Sequence, residues 1–345
     1  MRASSARWGF ALPAVLAVTG VVTLVFLVAI TALASLTAEA ASARARLRFM
    51  ERALTAEATI AYMAATEPTS AQGFMAGAPR SLNEFRGGQT PAPATSAGPV
   101  DMIHIDGRPY AMDVRGALLV NLQDQAGMIN LAALDDSQVQ RFADLLGIAP
   151  SLARNVTSLK TDYVDKDSLR QPNGAEQSEY GGILANRPML RPTEWLSLLG
   201  VRAAVDPSRW RSVRGELAAD STLPSINVNT ASSTTLQVLF DISAPQAQAA
   251  IRARESAPFL SINDFSAVVG APFTGSYEQL YTYPSARVVY IIRDTRSPWT
   301  YRARLTLTPS GLEQPLWFDQ TELTEAPHRA VADTSNAPRF PYAPR

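Results

Sequence analysis

The chain has 345 residues, 31 basic and 31 acidic side chains and a formal charge of zero, so no overall cationic excess points to nucleic acid. Cysteine is absent, which excludes a disulfide framework, a thiol nucleophile and thiolate metal ligation. The two histidines, His104 and His328, are too few for most zinc or imidazole-base chemistry, and no phosphate loop or G-x-S-x-G supports an enzyme.

From Trp8 to Ala38 no residue is charged. A bilayer core needs ~20 apolar residues in a helix, so this run predicts a membrane span. It is too long for the apolar core of an ordinary cleaved secretory signal. Arg2 and Arg7 precede it and place the short N-terminus in the cytoplasm; Arg44, Arg46, Arg48 and Arg52 follow it. No proline interrupts the chain between Pro13 and Pro68, and good helix formers dominate residues 39–65. Leu47, Met50, Leu54 and Ile60 recur at nearly helical spacing. One helix over residues 10–65 is expected, about 80 Å long at ~1.5 Å per residue.

Residues 66–99 carry Pro68, Pro79, Pro91, Pro93 and Pro99 and read as a Pro/Gly-rich linker. Alternation predicts strands near 100–105, 108–114 and 117–124, with tight turns at Asp106-Gly107 and Arg115-Gly116. Short helices follow. Val139, Phe142, Leu145 and Leu146 share one helical face, with Asp135 or Asp136 as the cap. Leu152, Val156, Leu159 and Tyr163 share another, with Pro150 at its start. Three later segments repeat a Ser/Thr cap, one to three turns and a stop, the last at Gly270. Strands return near 286–293, 299–308 and 314–323, with a turn at Pro309-Ser310-Gly311. The final residues are polar and Pro-rich and read as disordered. The simplest topology is one antiparallel sheet interrupted by a helical insertion. It divides the chain into 100–129 (first sheet part), 130–284 (helical insertion), 285–325 (returning strands) and 326–345 (tail).

The N-terminal stretch "SSARWGFALPAVL" resembles a type IV prepilin leader: a short basic segment over residues 1–9, then Phe10 opening the apolar run. The resemblance implies cleavage by a prepilin peptidase between Gly9 and Phe10 and methylation of the new terminus. The usual glutamate at the fifth mature position is replaced by Ala14. Together with "LQDQAGMINLAALD" (122–135), "DYVDKDSLRQPNGAEQSEY" (162–180) and "INVNTASSTTL" (226–236), this resembles the K-type minor pseudopilin of bacterial type II secretion systems. That family implies an α+β fold: a pilin-like N-terminal helix and antiparallel sheet, interrupted by a large α-helical domain. It also implies a single-pass inner-membrane protein with a periplasmic ectodomain. Its role is non-enzymatic, at the tip of the pseudopilus, supporting protein export across the outer membrane. The implied partners are other minor pseudopilins, the secretion machinery and secreted cargo.

A rival reading is a membrane-anchored DNA-binding protein. Residues 226–265 have the outline of a helix-hairpin-helix unit, and Arg252 and Arg254 lie within it. The hairpin Phe240-Asp241-Ile242-Ser243 has no glycine, however, and Asp241 would repel a phosphate. A helix-hairpin-helix used for protein packing is favoured, and no nucleic acid is expected.

In residues 161–180, five carboxylates face only Lys166 and Arg170. Asp162, Asp165 and Asp167 straddle a helix end, where the dipole disfavours them. Pro172-Asn173-Gly174 returns the chain to Glu176 and Glu179. A solvated acidic loop and a calcium site, which takes ~6–8 oxygens, both fit this composition. A glycosidase-like carboxylate pair has no further support. The K-type resemblance includes "DYVDKD" and "NGAE" and implies structural calcium held by Asp162, Asp165, Asp167, Glu176 and Glu179.

Overall fold

The apolar run and the helix formers that follow it make one helix, α1 (Ala11–Thr66), with Pro13 in its first turn. The computed structural model describes residues 11–77, 101–112, 117–182, 184–223, 225–271, 280–308, 314–325 and 337–343. The chain divides into two compact units, residues 1–54 and 55–345. In the first, an 18-residue window of α1 reaches a mean hydropathy of 2.6, apolar enough to cross a membrane. Its threonines cause no polar defect, because Thr19 and Thr23 each donate to the carbonyl four residues back, both at 2.8 Å.

In the second unit the strands are β1 (Thr69–Ser70), β2 (Gly73–Ala76), β3 (Asp101–His104), β4 (Asp106–Ala111) and β5 (Leu118–Asp124). After a long helical excursion come β10 (Arg287–Asp294), β11 (Trp299–Leu307) and β12 (Leu316–Glu325). A five-stranded antiparallel sheet has the order β12-β11-β10-β5-β4. Alternation gives it two occupied faces. On one, Tyr290 and Ile292 pair with Leu122 and Val120, and all four are buried. On the other, Val289 clusters with Met128 and Ala218. The last turns of α1 bury Ile60 and Met63 completely. Glu57 fastens them to the sheet: its Oε2 accepts from the hydroxyls of Tyr290 and, at 2.7 Å, Tyr301. Burial, then contact with the Glu57 carboxylate, raises the pKa of both phenols, so they remain donors.

Three sequence expectations are corrected. The strands do not form one sheet: β1, β2 and β3 make a separate three-stranded sheet, so a hairpin lies inside the span read as linker. Asp106-Gly107 therefore does not join β3 to β4 as a hairpin. The chain changes sheets at Ile105, which is fully buried; its N–H donates to Gln72 and its carbonyl accepts from Asp124. Gly107, at φ +86°, sits where the β4–β5 register slips between Asp106 and Pro109. The tail is not wholly disordered either: Phe340 is fully buried edge-on to Tyr110, and Tyr342 donates to Glu67. Two aromatics outweigh the prolines around them. The turns at Arg115-Gly116 and Pro309-Ser310-Gly311, the leader and the linker prolines beyond Pro68 lie outside the described residues.

The helical excursion leaves after β5 and returns at β10, its neighbour in the sheet. It contains β6 (Ile129–Asn130), α2 (Asp136–Leu145), α3 (Pro150–Val164), α4 (Val201–Ala204), α5 (Pro207–Val213) and β7 (Leu217–Ala218). Next come β8 (Ile226–Asn227), α6 (Ser233–Phe240), α7 (Ala244–Ser256), α8 (Ile262–Val269) and β9 (Leu280–Tyr281). Asp135 and Gln138 form a capping box at α2, and Ser232, Ser243 and Ser261 cap α6, α7 and α8. One core gathers Val139, Phe142, Val156, Trp195 and Leu217; a second gathers Leu236, Ile242, Ala247, Phe259 and Phe265.

Two buried carboxylates join this domain to the sheet. Asp124, fully buried at the end of β5, accepts from Asn227 and Thr230 (both 2.9 Å), from Ser285 and from the Ala126 N–H. Asp220 accepts from Gln125 (3.0 Å), Arg304 (2.6 Å), Arg287 and Thr222. Burial would raise the Asp220 pKa, but the hydrogen bonds of Gln125 and Thr222 and the Arg287 charge bring it down to about 2. A depressed carboxyl contributes stability above its ordinary value and loses it as pH falls through the folded value. Asp220→Ala leaves two arginines facing no carboxylate there, and should lower unfolding free energy at pH 7 by about 3 kcal/mol. Urea denaturation followed by tryptophan fluorescence should show that deficit, and the gap to wild type should close as pH falls from about 4 toward 2.

Candidate metal centre

α3 exists to bury Ala153, Val156, Leu159, Asp162 and Tyr163 on one face. Asp162 is therefore carried into the interior as part of the helix face. Its oxygens accept the Gln171 N–H at 3.0 and 3.2 Å, which folds the following loop back over the helix end. The fold-back is a turn in which the Gly174 N–H reaches Gln171 O at 2.9 Å. Pro172 and Asn173 (φ +64°) hold its two central positions, the combination a type II turn favours. Gly174 is demanded by proximity: a Cβ there would lie 1.9 Å from Asp162 Oδ2.

This fold-back brings three carboxylates together. One oxygen each of Asp165, Asp167 and Glu176 lies within 4.8 Å of the others. Glu176 is 8% exposed, and its Oε1 and the Asp165 Oδ1 are buried with no hydrogen-bond partner. Burial raises the Asp165 pKa, helped by the charges of Asp167 and Asp162. Burial also raises that of Glu176, helped by Asp162, Asp165 and Asp167. The set offers hard oxygens only, and it fits calcium on that donor chemistry and on its orphaned acceptors. Asp165, Asp167 and Glu176 would hold the ion, which would neutralise the charge the loop concentrates there.

The other two carboxylates read as ligands are occupied differently. Asp162 spends its oxygens on Gln171, as above. Glu179 turns to the Ser178 hydroxyl (2.7 Å), the Glu176 N–H (3.0 Å) and Arg170 (3.1 Å). The Ser178 hydrogen bond, then that N–H, lower its pKa, the opposite of its neighbours. The sequence supplied five acids; the turn decides which three converge. Gly9 and Phe10 fall outside the described residues.

The helix-hairpin-helix outline is present as α6, α7 and α8, with Asp241 left-handed at φ +56° closing α6. Its arginines do not form a phosphate cradle. Arg254 is 3% exposed and donates inward to the carbonyls of Val228 (2.9 Å) and Ala231 (2.6 Å). Arg252 is exposed and on its own makes no basic stripe.

A family model matches within this region. Residues 226–275, from β8 to just beyond α8, match the family model of Type II secretion system (T2SS), protein K. The Type II secretion system protein K of Pseudomonas aeruginosa is 31% identical over 176 residues, which is 46% of this chain and 50% of that protein. The chain thus spans about half the length of this curated relative. A solved GspK-GspI-GspJ complex from enterotoxigenic Escherichia coli aligns with a TM-score of 0.45 and 16% identity, over 61% of this chain and 80% of that one. The family and the curated relative agree with the protein K resemblance read from the sequence; a DNA-binding role finds no support among them.

For the full chain in detergent, saturating calcium should raise the melting temperature by about 5 °C or more. A raised carboxyl pKa costs the metal-free fold stability as pH rises, so the calcium-induced gain should be largest near neutrality and shrink as pH falls into the carboxylate range. Glu176→Gln should abolish the gain without lowering the metal-free melting temperature. Gly174→Ala should cost about 1–3 kcal/mol, because the new methyl meets the buried Asp162 carboxylate; chemical denaturation without calcium measures it.

Proposed function

We propose that the chain is a K-type minor pseudopilin, a non-enzymatic subunit at the tip of a type II secretion pseudopilus. One observation carries this reading. The segment that matches protein K is built into a helical domain inserted between neighbouring strands of the sheet, in a chain whose first helix is apolar enough to span a membrane. A bulky domain at that place in a pilin-like subunit suits an end position, with no copy stacked above. Ala14 supports it: an interior subunit would use a carboxylate there to pair with a neighbour in lipid, where an unpaired charge is costly. In this reading the helix sits in the inner membrane, the residues beyond it lie in the periplasm, and prepilin peptidase cuts after Gly9. Other minor pseudopilins form the tip complex with it, and secreted cargo meets its helical domain.

In the same reading calcium is a structural ion of the inserted domain, held by Asp165, Asp167 and Glu176. It would close a loop that otherwise repels itself. Intact-mass analysis of the protein from cells with an active prepilin peptidase should find a chain beginning at methylated Phe10. Gly9→Leu should leave the leader attached and abolish co-purification with small pilin-like proteins. A start methionine retained in wild type, or salt-dependent retention on duplex DNA, would overturn the assignment.

A further inference from the structure

The acidic loop leaves one more acceptor unexplained. Asn186 Oδ1 is buried with no partner, as are Asp165 Oδ1 and Glu176 Oε1. All three belong to the stretch that follows α3, and all three are acceptors. Their common need is a donor or a cation. Asn186 is tied to the same helix end as the carboxylates: its N–H donates to Tyr163 O at 3.1 Å, beside Asp165, which closes α3 through its own N–H to Thr161. Its backbone is left-handed, at φ +43°. Asparagine usually occupies that region with a local side-chain hydrogen bond. Here the side-chain oxygen makes none, so local bonding does not account for where it is held.

We infer that Asn186 supplies a neutral fourth oxygen to the cation held by Asp165, Asp167 and Glu176, tying the exit of the loop to its entry. This rests on the calcium reading above. Calcium accepts amide carbonyls beside carboxylates, and affinity rises with the number of ligands. A neutral donor completes the shell without adding to the repulsion of three anions. It also turns a two-point clip (165–167 with 176) into a three-point staple spanning the loop. Tyr180 lies inside that span, its ring tilted against that of Tyr163 at 5.9 Å between centroids and its hydroxyl accepting the Leu199 N–H at 3.0 Å. The staple therefore also sets where Tyr180 meets the start of the next helical segment.

The full chain in detergent, stripped with a chelator, is titrated with calcium by calorimetry and with terbium by luminescence sensitised through Tyr163 and Tyr180. Asn186→Gly suits the left-handed backbone and deletes the oxygen. It should weaken calcium about tenfold while leaving the metal-free melting temperature unchanged or higher. Asn186→Asp restores an oxygen and should bind at least as tightly as wild type, with a lower metal-free melting temperature. Wild-type affinity in Asn186→Gly would overturn the role of Asn186 and leave the three-carboxylate site standing. No calcium heat and no terbium signal in wild type would remove the site and this inference together. If Asn186→Gly does not fold, Asn186→Asp decides: binding weaker than wild type sinks the proposal.

Discussion

A single buried carboxylate carries the junction on which the rest of this fold depends. Asp124 ends β5, and from there the chain departs into the helical domain. The same side chain holds the entering turn at Ala126, the Asn227-Thr230 segment deep in the domain, and the returning chain at Ser285. Burial raises its pKa, and the hydrogen bonds from Ser285, Asn227 and Thr230 offset only part of that rise. Such a hub is stable only when all its donors arrive together, because a buried carboxylate left short of partners is costly. The insertion can therefore be large without loosening the sheet it interrupts: its two ends are neighbours in the ladder and share one acceptor.

Asp220 supports that junction from the other side. It collects arginines from β10 and β11, and Arg304 continues to Asp319 on β12 with two hydrogen bonds. The helical domain is thus bonded to two neighbouring strands by charge-assisted bonds, and through Arg304 to a third, while α1 grips the opposite face through Glu57. For a subunit proposed to stand at the end of a filament, this matters mechanically. The ties run from the helical domain to the sheet through Asp220, and from the sheet to the end of α1 through Glu57.

The acidic loop is the opposite kind of structure. Asp124 and Asp220 are surrounded by donors, whereas Asp165 and Glu176 are surrounded by other anions. The loop folds because its backbone is anchored independently, by Asp162 to Gln171 and by the Pro172-Asn173 turn. The charge is left as a remainder, which a divalent ion would offset. Glu179 shows how small the difference is: three residues along the chain, a hydroxyl and an N–H lower its pKa.

By itself, the sequence determined the apolar first helix, the α+β class, the helical insertion between strands, the caps of α2, α6, α7 and α8, and the acidic composition of one loop. These are local matters: hydrophobic period, proline spacing, cap chemistry and charge count are written in neighbouring residues. The K-type resemblance was legible in the same way, in short motifs kept in order. Only the tertiary structure decided that the strands form two sheets, because Ile105 must be buried between Gln72 and Asp124, far apart in the chain. It also decided that Phe340 docks on Tyr110, that Arg254 points inward, and that three of five acids converge. The "INVNT" segment was read as part of a family signature, yet its role is physical: Asn227 and Thr230 satisfy Asp124, and Asn229 bonds Phe259 and Thr282. Closely spaced polar residues around a buried valine, just after a short strand, were the available signal. Their partners lie about 30 to 100 residues away, and no local pattern states which distant group will need a donor.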